Sequence, residues 1–286
     1  VTISFDNTPH QIALPSHPCD NIPFVTTNIV VKKWITSNYH YMVPEVDGSL
    51  EELSPDFSRF LTDVKRGVEH LGAARATPVV LGPVTMTHLC VYKQYACEPV
   101  STTPPKQNKK TFFQQFEIML DDKVKGSTES IGNNRMALLE KLLPIYGKLL
   151  ADLAKLGVQE IQIHEPSLVF DESALAPLFK RTYKGPDSIL PGNVDINMVS
   201  FCEDVGESNY KWLTSVPGIK TISLDFTRGE NLKLIQDFGF PPEKVLGAGL
   251  IDGRNVWKVN PVVIKDILGA LESACVKTIR VQPSVR

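Results

Sequence analysis

Six segments of the chain share one pattern, an apolar run that breaks off in charged, amide or hydroxyl residues. They are residues 79–85 (VVLGPVT), 160–166 (EIQIHEP), 195–204 (DINMVSFCED), 221–228 (TISLDFTR), 245–255 (VLGAGLIDGRN) and 278–284 (TIRVQPS). A short apolar run bounded by turn residues predicts a buried strand of a parallel sheet, and the polar break predicts a C-terminal end that opens toward a site. Helical spacing appears between them. Residues 50–71 carry Leu53, Phe57, Phe60, Leu61, Val64 and Val68 at intervals of three and four and stop at Gly72, a C-cap candidate. Residues 136–156 carry a wide leucine face that includes Leu139, Leu143, Leu150 and Leu153 and stop at Gly157, directly before a strand. Helix, glycine, strand is the junction of a parallel unit. Its repetition predicts an α/β fold, a (β/α)8 barrel of the TIM type, with polar groups gathered at one rim.

The remaining stretches are less patterned. Residues 1–26, broken by Pro15, Pro18 and Pro23, form an irregular lead-in, and residues 27–286 form the barrel domain. A helix-like start is expected at residues 31–34. A short helix is expected at 111–120, and a flexible loop at 125–134, which holds Gly126, Gly132, Asn133 and Asn134.

Composition narrows the class. At 286 residues the chain fits one large α/β domain, since such barrels run to about 250 residues. The net charge of -2 and pI of about 6.3 give no electrostatic reason to expect nucleic acid or an anionic membrane as partner. With no secretory signal and no 18-residue apolar run, a cytoplasmic protein is expected. Cys19, Cys90, Cys97, Cys202 and Cys275 contain no CxxC pair, and the odd number argues against a closed disulfide framework. His88 and Cys90 lie close in sequence, but zinc needs three or four ligands, and no second cluster is spaced to supply them.

In a parallel barrel, chemistry gathers at strand C-termini. Glu165, between His164 and Pro166, is a candidate general base or substrate-binding carboxylate; the alternative is a rim glutamate in a salt bridge. Asp225 and Asp252 follow runs so apolar that each must be paired or solvated. Arg254, beside Asn255, is suited to clamp a carboxylate through its planar fork, or else Asp252 and Asn255 serve a helix entry. Lys33 beside Trp34 reads as a solvated lysine, and His40 between Tyr39 and Tyr41 as a ligand group or a packed ring. Glu165, Asp225 and Asp252 would also admit a glycoside hydrolase, which the three tryptophans do little to support. No Walker or Rossmann glycine loop is present.

Taken together and in order, Lys33-Trp34, Asn38-Tyr39-His40-Tyr41, Val43-Pro44-Glu45, LGPVT, the run 138–166 that ends in QIHEP, SLDFTRG and GLIDGRNVW resemble the N-terminal barrel of cobalamin-independent methionine synthase. The resemblance covers residues 27–284. It implies one of two face-to-face (β/α)8 barrels in an enzyme that transfers a methyl group from 5-methyltetrahydropteroyltriglutamate to homocysteine. It also implies that Lys33 holds the folate's glutamate tail; from their positions in the chain, Asn38, His40, Glu165, Asp225, Asp252, Arg254 and Asn255 are further rim candidates for substrate binding. The implied partner is a C-terminal catalytic barrel of the same polypeptide. Zinc and homocysteine would bind there, with no cobalamin and no metal ligated by this chain. The sequence also departs from the family. The family's opening strand, with its Gly-Phe-Pro-Arg motif, is not recognisable in residues 1–26, so the barrel is expected to be incomplete or truncated at the N-terminus. His164 and Thr36 stand where the family pattern has aspartates. A free-standing degenerate barrel that acts as a binding or scaffold protein is the alternative.

Overall fold

The structure, a computed structural model, describes residues 31–35, 40–47, 55–93, 128–170 and 175–284. The elements run β1 (Val31–Lys33), β2 (His40–Met42), β3 (Glu45–Asp47), α1 (Ser58–Leu71), β4 (Val79–Leu81), α2 (Pro83–Leu89), β5 (Val91–Lys93), α3 (Thr128–Lys155), β6 (Glu160–His164), α4 (Ala176–Tyr183), β7 (Asp195–Val199), α5 (Gly206–Ser215), β8 (Ile219–Asp225), α6 (Asn231–Phe238), β9 (Val245–Ile251), α7 (Pro261–Ser273) and β10 (Ile279–Pro283). A single 3-10 turn, Pro166–Val169, follows β6.

All six segments singled out by their pattern enter one parallel sheet, in the order β10-β9-β8-β7-β6-β4. With helices between the strands, this is the α/β architecture of an incomplete barrel. The sheet is rolled. Arg280 on β10 donates to Glu160 on β6 at 2.8 Å, although three strands lie between them. In a flat sheet β6 and β10 would stand about 19 Å apart, beyond the joint reach of the two side chains.

The strands alternate, where continuous apolar runs were expected. Ile161, Ile163, Ile196, Met198, Ile222, Leu224, Leu246, Ala248 and Leu250 are buried in the core shared with the helices. The residues between them are Gln162, His164, Asn197, Ser223, Gly247 and Gln282, which occupy the concave face. There the Ser223 hydroxyl donates to Asn197 Oδ1 at 2.8 Å and lies 3.3 Å from Gln282 Oε1. Gly247 makes room for this layer, because a Cβ there would fall 2.1 Å from Ser223 Oγ. The interior of this rolled sheet is therefore polar, unlike the branched apolar layers that usually fill such barrels.

Three local expectations change. Residues 31–34 begin a strand, in which Val31 pairs with Met42 in an antiparallel hairpin. The strand expected at 79–85 stops at Leu81, because Gly82 is the N-cap of α2 and Pro83 takes its first helical position, the place where its missing N–H costs nothing. Residues 128–134, expected as loop, belong to the first turns of α3. The helix expected at 50–71 is described from Ser58 and ends at Gly72, whose φ of 82° suits glycine. The expected lead-in, the helix at 111–120, and Cys19, Cys97, Asn38 and Tyr39 lie outside the described residues.

The two faces of the sheet should respond differently to truncation. Ile196→Ala, on the helix side, is expected to cost about 2–5 kcal/mol, whereas Gln162→Ala, on the concave side, should cost less than about 1 kcal/mol, both read from urea unfolding. Equal losses would contradict the assignment of faces.

Candidate functional site at the strand C-termini

Three arrangements at or near the C-terminal ends of the strands carry the candidate chemistry. The first surrounds Glu165, expected at the rim as a base or in a salt bridge. Its side chain is instead fully buried and meets neutral donors. Oε1 accepts from Val84 N (3.1 Å) and the Tyr183 hydroxyl (2.5 Å); Oε2 accepts from Thr85 N (2.7 Å) and the Thr85 hydroxyl (2.5 Å). Thr85 Oγ1 also lies 2.8 Å from Ser167 Oγ. The two backbone donors belong to the first turn of α2, so the carboxylate caps a helix distant in sequence. Burial pushes the Glu165 carboxyl up to about 7, against the pull of the four hydrogen bonds, and it lifts the Tyr183 hydroxyl well above its ordinary value.

The second arrangement joins the loops after β7, β8 and β9. Arg254 Nη2 donates to Asp225 Oδ2 and Thr227 Oγ1, each at 2.8 Å, with the arginine side chain 7% exposed and the aspartate 0%. Asp225 Oδ1 accepts from the Thr227 backbone and hydroxyl. Asn231 donates to the carbonyls of Glu203 and Asp225, while its own oxygen accepts from Val205 N. Asp204 accepts from Gly206 N and Glu230 N. A Cβ at Gly229 would lie 2.5 Å from Asp204 N, so this loop crossing requires a glycine. Much of the fork of Arg254 is thus engaged inside the protein. Asp252 and Asn255 do satisfy backbone donors, at Arg254 N and Trp257 N, but within a turn; the helix entry belongs to Asn260, which caps α7. Burial opposes ionisation of Asp252, yet its bonds with Arg254 and Asn255 hold the carboxyl below its ordinary value. Asn197 Nδ2, Ser200 Oγ, Arg254 Nη1 and Ser284 Oγ are shut off from solvent without a hydrogen-bond partner. All four belong to β7 or to residues just past β7, β9 and β10, so hydrogen-bonding capacity gathers at this end of the sheet.

The third is the β1–β2 hairpin. It sets Lys33 directly opposite His40, both exposed and on one face of the pair. Tyr41 anchors the hairpin through its hydroxyl to Leu89 O (3.2 Å) at the end of α2, and Trp34 packs edge-on against the Tyr41 ring.

Thr85, Ser167, Tyr183, Thr227, Asp204 and Asn231 were not singled out from sequence. Single threonines and serines carry no local signal of a partner about eighty residues away, nor a single asparagine of one 26 to 28 residues away, although a glycine followed by proline, as at Gly82-Pro83, is a local signal that a helix can start there. Among the described residues no three His, Cys, Asp or Glu side chains converge as metal ligands, so these residues do not fit a zinc centre. His88 packs on Phe170, and burial raises the Cys90 thiol to about 11, the reverse of what a thiolate ligand needs. No helix among the described residues is long and apolar enough to cross a membrane.

A rolled parallel sheet with its polar groups collected at the strand C-termini is the architecture of barrel enzymes. The model of the cobalamin-independent synthase N-terminal domain matches residues 25–276, and the chain belongs to this family. The 5-methyltetrahydropteroyltriglutamate–homocysteine methyltransferase of Synechococcus sp. is 36% identical over 253 residues, which make up 88% of this chain and 27% of the relative. That of Bacillus velezensis is 30% identical over 291 positions, 99% of this chain and 32% of the relative. The chain therefore spans about a quarter to a third of the length of these curated relatives. A solved B12-independent methionine synthase from Shewanella sp. shares the fold, with a TM-score of 0.51 and 15% identity over 86% of this chain and 64% of the other.

Two outcomes follow for the buried carboxylate. A Cβ at Gly82 would lie 2.0 Å from Glu165 Cδ, so Gly82→Ala must displace a fully buried group; denaturant unfolding should show a loss of about 3 kcal/mol or more. Because the folded state raises the Glu165 pKa from 4.5 to about 7, its contribution to stability is full below 4.5 and is lost as pH rises through about 7. Glu165→Gln should remove that slope, on the order of 3 kcal/mol between pH 4.5 and 8. An unchanged pH profile would show that Glu165 titrates as it does in the unfolded chain.

Proposed function

We propose that this chain is the folate-binding N-terminal half of an enzyme that moves the methyl group of 5-methyltetrahydropteroyltriglutamate to homocysteine to make methionine. The observation that carries the reading is the family match over residues 25–276, which favours half of a methyltransferase over a free-standing scaffold. The partner is then the C-terminal catalytic part of the same polypeptide, working in the cytoplasm. The domain is the stretch from residue 27 to 286, with residues 1–26 as its lead-in.

In this reading the chain binds and orients and does not make bonds. As homocysteine sulfur takes the methyl carbon, the bond from carbon to N5 of the folate breaks, and N5 keeps the electron pair and gains a proton. The triglutamate tail is polyanionic, and Lys33 opposite His40 on an exposed hairpin is the chemistry that would hold it. Asn38, between them in sequence, is a further candidate contact. At the strand ends, Asp252 and Asn255 offer polar groups toward a ligand, held in place by the buried Arg254–Asp225 pair, while Glu165 fixes the start of α2. Holding the tail fixes the reacting methyl group relative to the thiol, an effect of proximity rather than of acid–base catalysis. The described residues supply no step through zinc.

Calorimetric titration of the chain with 5-methyltetrahydropteroyltriglutamate and with its monoglutamate form tests this. Lys33→Ala should weaken triglutamate binding about threefold to tenfold, leave the monoglutamate nearly unaffected, and lose its effect at high salt. Identical affinities of wild type and variant for the triglutamate would remove Lys33 from the site.

A further inference from the structure

The β1–β2 hairpin sets two residue pairs on one face, Lys33 opposite His40 and Val31 opposite Met42, and all four residues are exposed. Tyr41 lies between His40 and Met42, so alternation along the strand turns its side chain to the other face. There its ring meets Trp34 edge-on, with centroids 5.6 Å apart, and its hydroxyl donates to Leu89 O at 3.2 Å. Leu89 is the last residue of α2, and a carbonyl in the last turn of a helix has no partner within that helix. Burial raises the Tyr41 hydroxyl above its ordinary value, with Cys90 adding to the effect, so the group stays a proton donor throughout the neutral range.

A two-stranded hairpin is marginal in water by itself, and β1 and β2 form a sheet of their own, so their position depends on what they are tied to. The Tyr41 hydroxyl ties them to a fixed point, because the other end of α2 is held by Glu165 through Val84 N and Thr85 N. A second tie follows in the chain, where β3 pairs with β5 and sets Glu45 against Val91, two residues past Leu89. Without the hydroxyl the chain would remain attached through β3, and the hairpin could swing about that point. Lys33 is one rung from the Lys32–Tyr41 pair, so a swing would move it directly. The pull of a surface cation on an anion falls with distance and is screened over about 8 Å at physiological salt, so the aim of the lysine decides its effect. We propose that Tyr41 is a positioning residue for the anionic tail of the folate, its hydroxyl aiming Lys33 from the C-terminal end of α2; the inference rests on the reading of this hairpin as the tail site.

Tyr41→Phe keeps the ring against Trp34 and removes the hydroxyl alone. In calorimetric titration it is expected to weaken binding of 5-methyltetrahydropteroyltriglutamate about threefold and to change binding of the monoglutamate form less than about 1.5-fold. Because the hydroxyl acts through the lysine, adding Tyr41→Phe to Lys33→Ala should weaken triglutamate binding by less than about 1.5-fold beyond Lys33→Ala alone. Hydrogen–deuterium exchange needs no ligand: it should rise about tenfold in the β1 and β2 peptides of Tyr41→Phe, while the peptides of β6 to β9 keep wild-type rates. Unchanged exchange in β1 and β2, or a loss of affinity that is equal for both folates or equal with and without Lys33, overturns the positioning role. If Lys33→Ala weakens triglutamate binding and Tyr41→Phe does not, the positioning role alone falls. If Lys33→Ala leaves triglutamate binding intact, the tail site falls and the positioning role falls with it, whatever the exchange shows.

Discussion

The carboxylate of Glu165 lies where β4, β6, α2 and α4 meet, buried without a cation. A buried carboxylate is tolerable only if its lone pairs are filled, and here two backbone N–H groups of α2 and two hydroxyls fill them. Those same bonds satisfy donors that the start of α2 would otherwise bury unpaired. One side chain thus solves two desolvation problems. The solution needs a residue without a side chain at Gly82, because the carboxylate occupies that space. The edge strand β4, the helix that follows it and the hairpin anchored to Leu89 all take their position from this contact.

The sheet separates two tasks by face. Its convex side holds the apolar residues that pack under the helices, and this supplies most of the burial that offsets chain entropy. The concave side and the strand ends can then be polar, provided each group finds a partner. Most of them do, through Asp225, Thr227, Arg254 and Asn231. The loops after β7, β8 and β9 are consequently tied to one another before any ligand or partner arrives, which lowers the ordering cost of binding at that end.

The motifs that set this chain among the cobalamin-independent synthases fall on these same features. SLDFTRG carries Asp225 and Thr227, GLIDGRNVW carries the turn from Asp252 to Trp257, QIHEP carries Glu165, and Lys33 and His40–Tyr41 lie on the two paired strands β1 and β2. What these residues do structurally is now explicit. Arg254 secures a turn and Glu165 secures a helix, so a motif that looks catalytic in sequence can owe its composition to the frame that positions a site.

By itself the sequence determined the six strands, their parallel order of use along the chain and the long helix before β6, because apolar periodicity and the glycine and proline breaks are local signals. Its motifs also placed the chain in its family. Only the tertiary structure decided that Glu165 is buried rather than at the rim, that Arg254 pairs with Asp225 twenty-nine positions away, and that Thr85, Ser167 and Tyr183 belong to the same cluster. It alone decided, too, which face of each strand is polar. The physical reason is that burial and hydrogen-bond partnership are properties of long-range neighbours. A lone glutamate or arginine looks the same in sequence whether it meets solvent, a substrate or a helix N-terminus folded against it.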